Sequence, residues 1–206
     1  EGLIRQASNI IIKHGLLEEE IMVDDAHLPL LRDQQRRRQI VDKLVVLANV
    51  SYEHAFELVD GCTYIIGGTG RVKNVIDKSG NHLFSPRLKD GGLSVTDLGS
   101  KAIYERRSDA ISDAGGYHPY SGAGNGPAVL KVKQDAVEFV LRGRNVFHGF
   151  ILSCDAWLKA GQTCFIVDEE GTLIGHGLSQ CDADEALRLT KGIAVRTRSD
   201  FSKTFD

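Results

Sequence analysis

The residues whose types and spacing best suit chemistry are cations around a glycine, in Leu141-Arg142-Gly143-Arg144-Asn145. Gly143 has no side chain, so another backbone or a phosphate can approach it closely and receive its N–H. Arg142 and Arg144 flank it with planar, bidentate donors that match phosphate oxygens. Further basic residues of the last third fall at Lys131, Lys133, Lys159, Lys191, Arg196 and Arg198, while its acids bunch in Asp168 to Glu170 and Asp182 to Glu185. Segregation of that kind lets a near-neutral region turn one basic face to a polyanion. Gly143 reads equally well as an ordinary helix stop with two solvated arginines beside it.

Enzyme chemistry finds less support in the residues. None of His14, His27, His54, His82, His118, His148 and His176 lies at metal-ligand spacing from another. Cys62, Cys154, Cys164 and Cys181 form no Cys-x-x-Cys pair and read as reduced, mostly buried thiols of a cytoplasmic protein. No serine sits in a Gly-x-Ser-x-Gly elbow. Gly67-Gly68-Thr69-Gly70 lacks the Gly-Lys-Ser/Thr that a phosphate loop needs, and its paired glycines read as a hairpin turn. The expectations are therefore no catalytic residue, no metal and no cofactor.

The net charge of −3 over 206 residues argues against a chain that is basic throughout, yet residues 64–106 carry +3. The longest apolar runs, Ile10-Ile11-Ile12 and Leu44 to Ala48, are too short to span a bilayer, and no signal peptide is apparent, so a soluble, cytoplasmic chain is expected. The recorded start is Glu1, which leaves room for a longer native N-terminus.

Among the elements that must hold these residues, the first sixty residues read as helical. Leu3, Ile4, Ala7, Ile10 and Ile11 recur at three and four, with Gly15 as a stop; Arg32 to Ala48 and Tyr52 to Val59 follow, the last capped by Ser51. Arg36-Arg37-Arg38 spreads over most of a helix circumference and reads as a solvated face. From Cys62 the pattern turns to short strands, at Thr63 to Ile66, Arg71 to Ile76, His82 to Leu88 and Leu93 to Thr96, cut by glycine turns; Asp97 to Ile111 then reads as a helix with Gly99 as its weak spot. Gly115 to Gly126 is the clearest linker, with Tyr117, His118 and Tyr120 as stacking or interdomain residues.

In the last third, Asp135 and Glu138 form a capping-box pattern before the apolar Ala136, Val137, Phe139, Val140 and Leu141, and Gly143 ends that helix. Strands are expected at Val146 to Leu152, Cys164 to Val167, Leu173 to Leu178 and Ile193 to Val195, with a second helix near Asp182 to Leu189. Asp168-Glu169-Glu170-Gly171 reads as a hairpin turn.

Val137 to Gly149 and Gly161 to Arg198 resemble a PUA domain, an RNA-binding module. The resemblance rests on Phe139-Val140-Leu141-Arg142-Gly143, Asn145-Val146, Gly161, Val167-Asp168, Gly171, Gly175-His176-Gly177 and Lys191-Gly192-Ile193-Ala194-Val195 in that order. Thr69 to Val75, Arg87 to Thr96 and Gly99 to Ala102 are similar to the domain that precedes PUA in archaeal archaeosine tRNA-guanine transglycosylases.

Beyond the helical N-terminal segment (1–61) and the Gly-rich linker (115–127) read from pattern and composition, the resemblance implies a small α+β middle domain (62–114) and a C-terminal PUA pseudo-barrel of mostly antiparallel strands (128–206), so that the chain is α+β. It implies that RNA, a tRNA or rRNA, lies on the first helix, the glycine turn and the closing strand, which here are Arg142, Gly143, Arg144, Asn145 and Lys191-Gly192 to Arg198. With the flanking lysines the expected RNA-binding set is Lys131, Lys133, Arg142, Gly143, Arg144, Asn145, Lys191, Gly192, Arg196 and Arg198, serving tRNA modification or ribosome biogenesis. A transglycosylase barrel of ~250 residues has no room in this sequence, so a non-catalytic role is expected. The alternative is an accessory or regulatory subunit acting through protein contacts with a separate catalytic partner, and a third reading is a small enzyme of unrecognised type.

Overall fold

A computed structural model of the chain describes residues 28–107 and 126–201. The expected helix over residues 3–13, the acids Glu18 to Glu20, Asp24 and Asp25, the end of the Asp97 to Ile111 helix and most of the linker, Tyr117, His118 and Tyr120 included, lie outside the described residues. Glu1–Gln35 group as one compact unit and Arg36–Asp206 as a second, which holds every element below apart from the first turns of α1.

Helix α1 (Leu28–Ala48) buries Ile40, Val41, Leu44 and Ala48, a stripe at helical spacing, and leaves Val46 and Leu47 exposed. Asn49 takes a left-handed φ of 54° and stops it. Ser51 caps α2 (Tyr52–Leu58) by accepting from the His54 N–H at 3.2 Å. The arginine triplet is not wholly solvated. Arg37 lies 3.7 Å over the Phe56 ring and donates to Asp60 at 2.8 Å, clamping α1 to α2.

Strands β1 (Thr63–Ile66), β2 (Val72–Ile76), β3 (His82–Pro86) and β4 (Leu93–Val95) form an antiparallel meander in chain order. Their connections are the expected hairpin turns. Gly70 donates to the Gly67 carbonyl at 2.9 Å, and Asp77 accepts from the N–H groups of Ser79 and Asn81, which hold its carboxyl below the usual range. Helix α3 (Asp97–Tyr104) is capped by Thr96, whose Oγ1 accepts from Gly99 at 3.1 Å.

The second sheet has six strands: β5 (Ala128–Val132), β6 (Val146–Phe147), β7 (Ile151–Cys154), β8 (Thr163–Val167), β9 (Leu173–Ser179) and β10 (Ile193–Thr197). Their order is β6-β10-β9-β8-β5-β7, antiparallel except for β5 against β8. Bulges in the β6–β10, β5–β7 and β8–β9 ladders bend the strands, as a sheet curling toward a barrel requires. Helices α4 (Gln134–Leu141) and α5 (Ala183–Arg188) pack against this sheet. The α+β class and the mostly antiparallel C-terminal sheet thus match expectation. Strand β5 does not appear in the sequence reading, and the Val146 to Leu152 run is broken by a 3-10 turn at His148–Phe150.

The two sheets meet along α3. Tyr104 donates its hydroxyl to the Gly171 carbonyl at 2.8 Å and meets Phe165 edge-on at 5.6 Å. Asp97 accepts from the Asp200 N–H at 3.1 Å, and its other oxygen lies 3.5 Å from Nδ1 of the buried His176. Burial holds the His176 pKa below its ordinary value, Asp97 pulls it back up and Arg198 pushes it down. The folded chain therefore binds this proton more weakly than the unfolded chain does. Stability is full above pH ~6.5, the ordinary histidine value, and falls as pH drops from there toward the lowered one, by up to ~1.4 kcal/mol per pH unit. Denaturant melts at pH 7.5 and 5.5 should show a smaller loss for His176→Gln than for the parent. Equal losses would assign the slope to another group.

Candidate functional site

The ten expected RNA-binding residues sit around α4 and β10. At the start of α4 the capping box does not form. The N-cap is Lys133, without a side-chain bond, so Asp135 lies inside the first turn. The Gln134 N–H instead donates to Glu169 Oε1 at 3.0 Å, a carboxylate from the β8–β9 turn. A long-range partner does the work that the local pattern promised to Asp135. Lys131 donates to the Glu169 carbonyl at 3.0 Å and Lys133 to the Gly149 carbonyl at 2.7 Å. An ammonium has three donors, so each lysine keeps hydrogen-bonding capacity for an anion.

The other end of α4 carries the glycine corner. Gly143 has φ +75° and donates to Val140 at 2.9 Å, while Arg144 N–H reaches back to Phe139 at 3.0 Å. These two bonds form a Schellman stop with Phe139 at C3, Gly143 at C′ and Arg144 at C″. A Cβ on residue 143 would lie 2.9 Å from the Ser199 carbonyl oxygen. Glycine is therefore required twice, by its φ and by the closeness of the chain's own backbone. This corrects one part of the sequence reading. The Gly143 N–H is committed to Val140 and is not a donor to phosphate; the anion-binding capacity of the corner lies in its side chains.

That corner is fastened to the end of β10, more than fifty residues on. Thr197 donates its N–H to Asn145 Oδ1 at 3.2 Å and its hydroxyl to the Arg144 carbonyl at 2.9 Å. Asn145 is thus a fastener as well as a surface residue. Arg196 and Arg198 alternate with Thr197 along the strand and are both exposed. The structure so brings Arg142, Gly143, Arg144 and Asn145 beside the segment of Arg196 and Arg198. Lys191 and Gly192 lie at the opposite end of β10, roughly 16 Å away at 3.3 Å per residue. There Gly192 accepts from the His148 N–H at 3.2 Å, and Gly149 closes on Thr190, with 3.4 Å from an added Cβ to its carbonyl oxygen. Lys133, on the Gly149 carbonyl, belongs to this second group. The expected set forms two cationic groups rather than one.

Arg142 pairs with Glu138, both largely exposed, and such pairs contribute under about 1 kcal/mol. Arg144, Lys191, Arg196 and Arg198 are exposed and have no acidic partner among the described residues. Of the arginines at this corner, Arg142 alone is held by a local acid among the described residues, and that pair is exposed to solvent.

Groups that resemble catalytic sets do other work. Ser199 Oγ accepts from the His176 backbone N–H at 3.0 Å and lies 3.3 Å from its carbonyl, so it bonds main chain and not the imidazole of the nearby His176–Asp97 pair. Burial pushes the Cys154 thiol up to about 11 and Cys164 to about 12, away from the low values of reactive thiols. Among the described residues no group of three or more His, Cys, Asp and Glu could hold a metal, and no helix is long and apolar enough to cross a membrane. A feature the sequence reading missed is a groove of about 330 Å³ lined by Lys43, Arg71 and Arg87 with exposed Leu88, on the four-stranded sheet side. Its only advance signal was the +3 charge of residues 64–106.

The PUA domain family model matches residues 128–201, which are a PUA domain. The chain is 26% identical over 163 residues to the tRNA-guanine(15) transglycosylase of Methanocaldococcus jannaschii, a match covering 76% of this chain and 22% of that protein. It is 33% identical over 135 residues to the enzyme of the same name from Methanobrevibacter smithii, covering 66% of this chain and 18% of the relative. The chain spans about a fifth of the length of these curated relatives. Among solved structures, hypothetical protein PH0734.1 of Pyrococcus horikoshii shares the fold, with TM-score 0.52 and 15% identity over 81% of this chain and 90% of that one.

Proposed function

We propose that this chain, through the PUA domain at residues 128–201, binds structured RNA, a tRNA or rRNA, in tRNA modification or ribosome biogenesis. The observation that carries the reading is the joining of two cation-bearing segments at Thr197, with Arg144, Arg196 and Arg198 exposed and free of acidic partners among the described residues. Arg142 belongs to the same surface, because its exposed pair with Glu138 is weak enough for a phosphate to displace. Lys131, Lys133, Lys191 and Gly192 extend the contact toward the other end of α4. The four-stranded sheet, with Lys43 of α1, adds the groove of Lys43 and Arg71 to the grip, while Arg87 in its wall is paired with Asp90. A surface of guanidinium groups without a built pocket reads RNA by backbone and shape.

Arg142→Ala with Arg144→Ala is the test. Both side chains are exposed, so the melting temperature should stay unchanged within about a degree. Affinity for tRNA in a gel-shift titration should fall roughly tenfold or more, and the slope of log K against log salt should drop by roughly one for each phosphate that is no longer neutralised. Equal affinity of variant and parent removes this site assignment.

The second reading is an accessory or regulatory subunit that acts through protein contacts with a separate catalytic partner. Co-purification of that protein with no nucleic-acid absorbance would favour it over direct RNA binding.

A further inference from the structure

We propose that the groove between α1 and the β3–β4 turn is a site for a single nucleotide, its phosphate held by Arg71 and Lys43 and its base laid on Leu88 and Pro86. The inference deepens the RNA reading above, on which it rests for the groove's place in the grip, by naming what the groove takes. The groove holds about 330 Å³, inside the usual range of small-ligand sites. Its lining divides in two. Ile40, Val72, Pro86 and Leu88 are apolar, Lys43, Arg71 and Arg87 are cationic, and no carboxylate lines it.

The apolar half is held in place by the turn itself. Leu88 is 56% exposed, yet the residues around it are braced. The Arg87 N–H donates to the Gly92 carbonyl at 2.8 Å, the Gly92 N–H donates to the Asp90 carboxylate at 3.0 Å, and Arg87 pairs with that carboxylate at 3.0 Å. Lys43 donates to the Gly91 carbonyl and so ties the turn to α1. The buried Ile40 and Val72 close the bottom. Apolar walls of this kind are surfaces against which an extruded base packs. In the cationic half Arg87 is engaged by Asp90, which leaves Arg71 and Lys43 for a ligand. Arg71 is exposed and its side chain has no partner among the described residues, and Lys43 keeps ammonium donors beyond the one that Gly91 takes. Lys73 and Lys89, exposed beside Val72 and Leu88 in the chain, add positive charge; Asp42, exposed beside Lys43, lies outside the lining. A duplex backbone or inorganic phosphate would use the two cations and leave the apolar wall bare. A nucleotide covers both halves. An acidic peptide meets the same cations, but only a nucleic acid also answers the arginine surface at Thr197 in the same compact unit.

Titration calorimetry with adenosine monophosphate, adenosine and inorganic phosphate tests the site in the parent, Arg71→Ala and Leu88→Ser. The parent should bind the monophosphate roughly tenfold or more tightly than either fragment, and each variant should lose roughly tenfold. Both side chains are exposed, so all three proteins should melt alike. Gel shifts with a fully paired RNA duplex and the same duplex bearing a single bulged nucleotide then fix the source. A preference for the bulged duplex that vanishes in Arg71→Ala, and survives Arg142→Ala with Arg144→Ala, makes the source RNA. Monophosphate binding without that preference keeps the site and makes its source a free nucleotide. Absence of both, or a bulge preference untouched by Arg71→Ala, overturns the inference, while the RNA reading still stands on its own Arg142 and Arg144 test. Binding of a glutamate-rich peptide in place of either nucleotide source assigns the groove to a protein and overturns the inference as well.

Discussion

Phe165→Ala should lower stability by about 3–5 kcal/mol and bring both sheets down in one transition. Phe165 belongs to β8 of the six-stranded sheet, yet its ring is fully buried in the core formed with α1 and the meander, among Ile40, Leu44, Val75 and Phe84. Its strand neighbours Cys164 and Ile166 face the other core, with Leu130 and Val140. Strand β8 is thus shared, odd side to one core and even side to the other, by simple alternation. Truncating Phe165 opens a void at the seam and removes the edge-on packing with Tyr104, whose hydroxyl holds Gly171. The loss reaches both cores because the same strand serves both. Urea melts followed by far-ultraviolet circular dichroism and by Trp157 fluorescence should shift together to a lower midpoint. Phe139→Ala removes an equally large ring from an exposed site and should change stability by no more than about 0.5 kcal/mol. A Phe165→Ala loss as small as that would mean that the seam is not packed.

The parts of this fold that were legible in the sequence are those set by local physics. The glycine turns of the meander, the Ser51 cap and the Gly143 stop are each decided within four residues, and each is found where its residues predict. The family resemblance was legible from the order of such features. What was hidden is long-range. Cys164-Phe165-Ile166-Val167 is apolar throughout, so no period told that Phe165 faces a different core from its neighbours. Strand β5 alternates, with Ala128, Leu130 and Val132 buried, but it abuts the start of α4 without a turn residue, so no local signal marks its end. The α4 cap comes from Glu169, thirty-five residues away, and Asn145 is a fastener only because Thr197 arrives beside it. The cationic residues were readable, but their division into two groups depends on which ends of α4 and β10 meet.

Gly99 gives the sharpest test of that difference, because local and long-range physics predict opposite signs. In an exposed helix, Gly→Ala stabilises by about 0.5–1 kcal/mol, and on that basis Gly99 is a weak spot. In the folded chain Gly99 is buried, and a Cβ there would lie 2.1 Å from the Leu83 carbonyl oxygen and 2.9 Å from a Phe84 ring carbon. The first obstacle is backbone of β3, which cannot rotate away. Gly99→Ala must therefore lift α3 from the meander, and the seam bonds that α3 carries, Asp97 to Asp200 and Tyr104 to Gly171, are strained with it. Overpacking of this kind costs about 1–3 kcal/mol, added to the forfeited helix gain. Gly68→Ala is the control, since a Cβ at residue 68 meets nothing within 4 Å; its melting midpoint should stay level or rise while that of Gly99→Ala falls. If Gly99→Ala stabilised the chain instead, α3 would not be seated on β3, and the shared seam that holds the PUA domain to the meander would lose its basis.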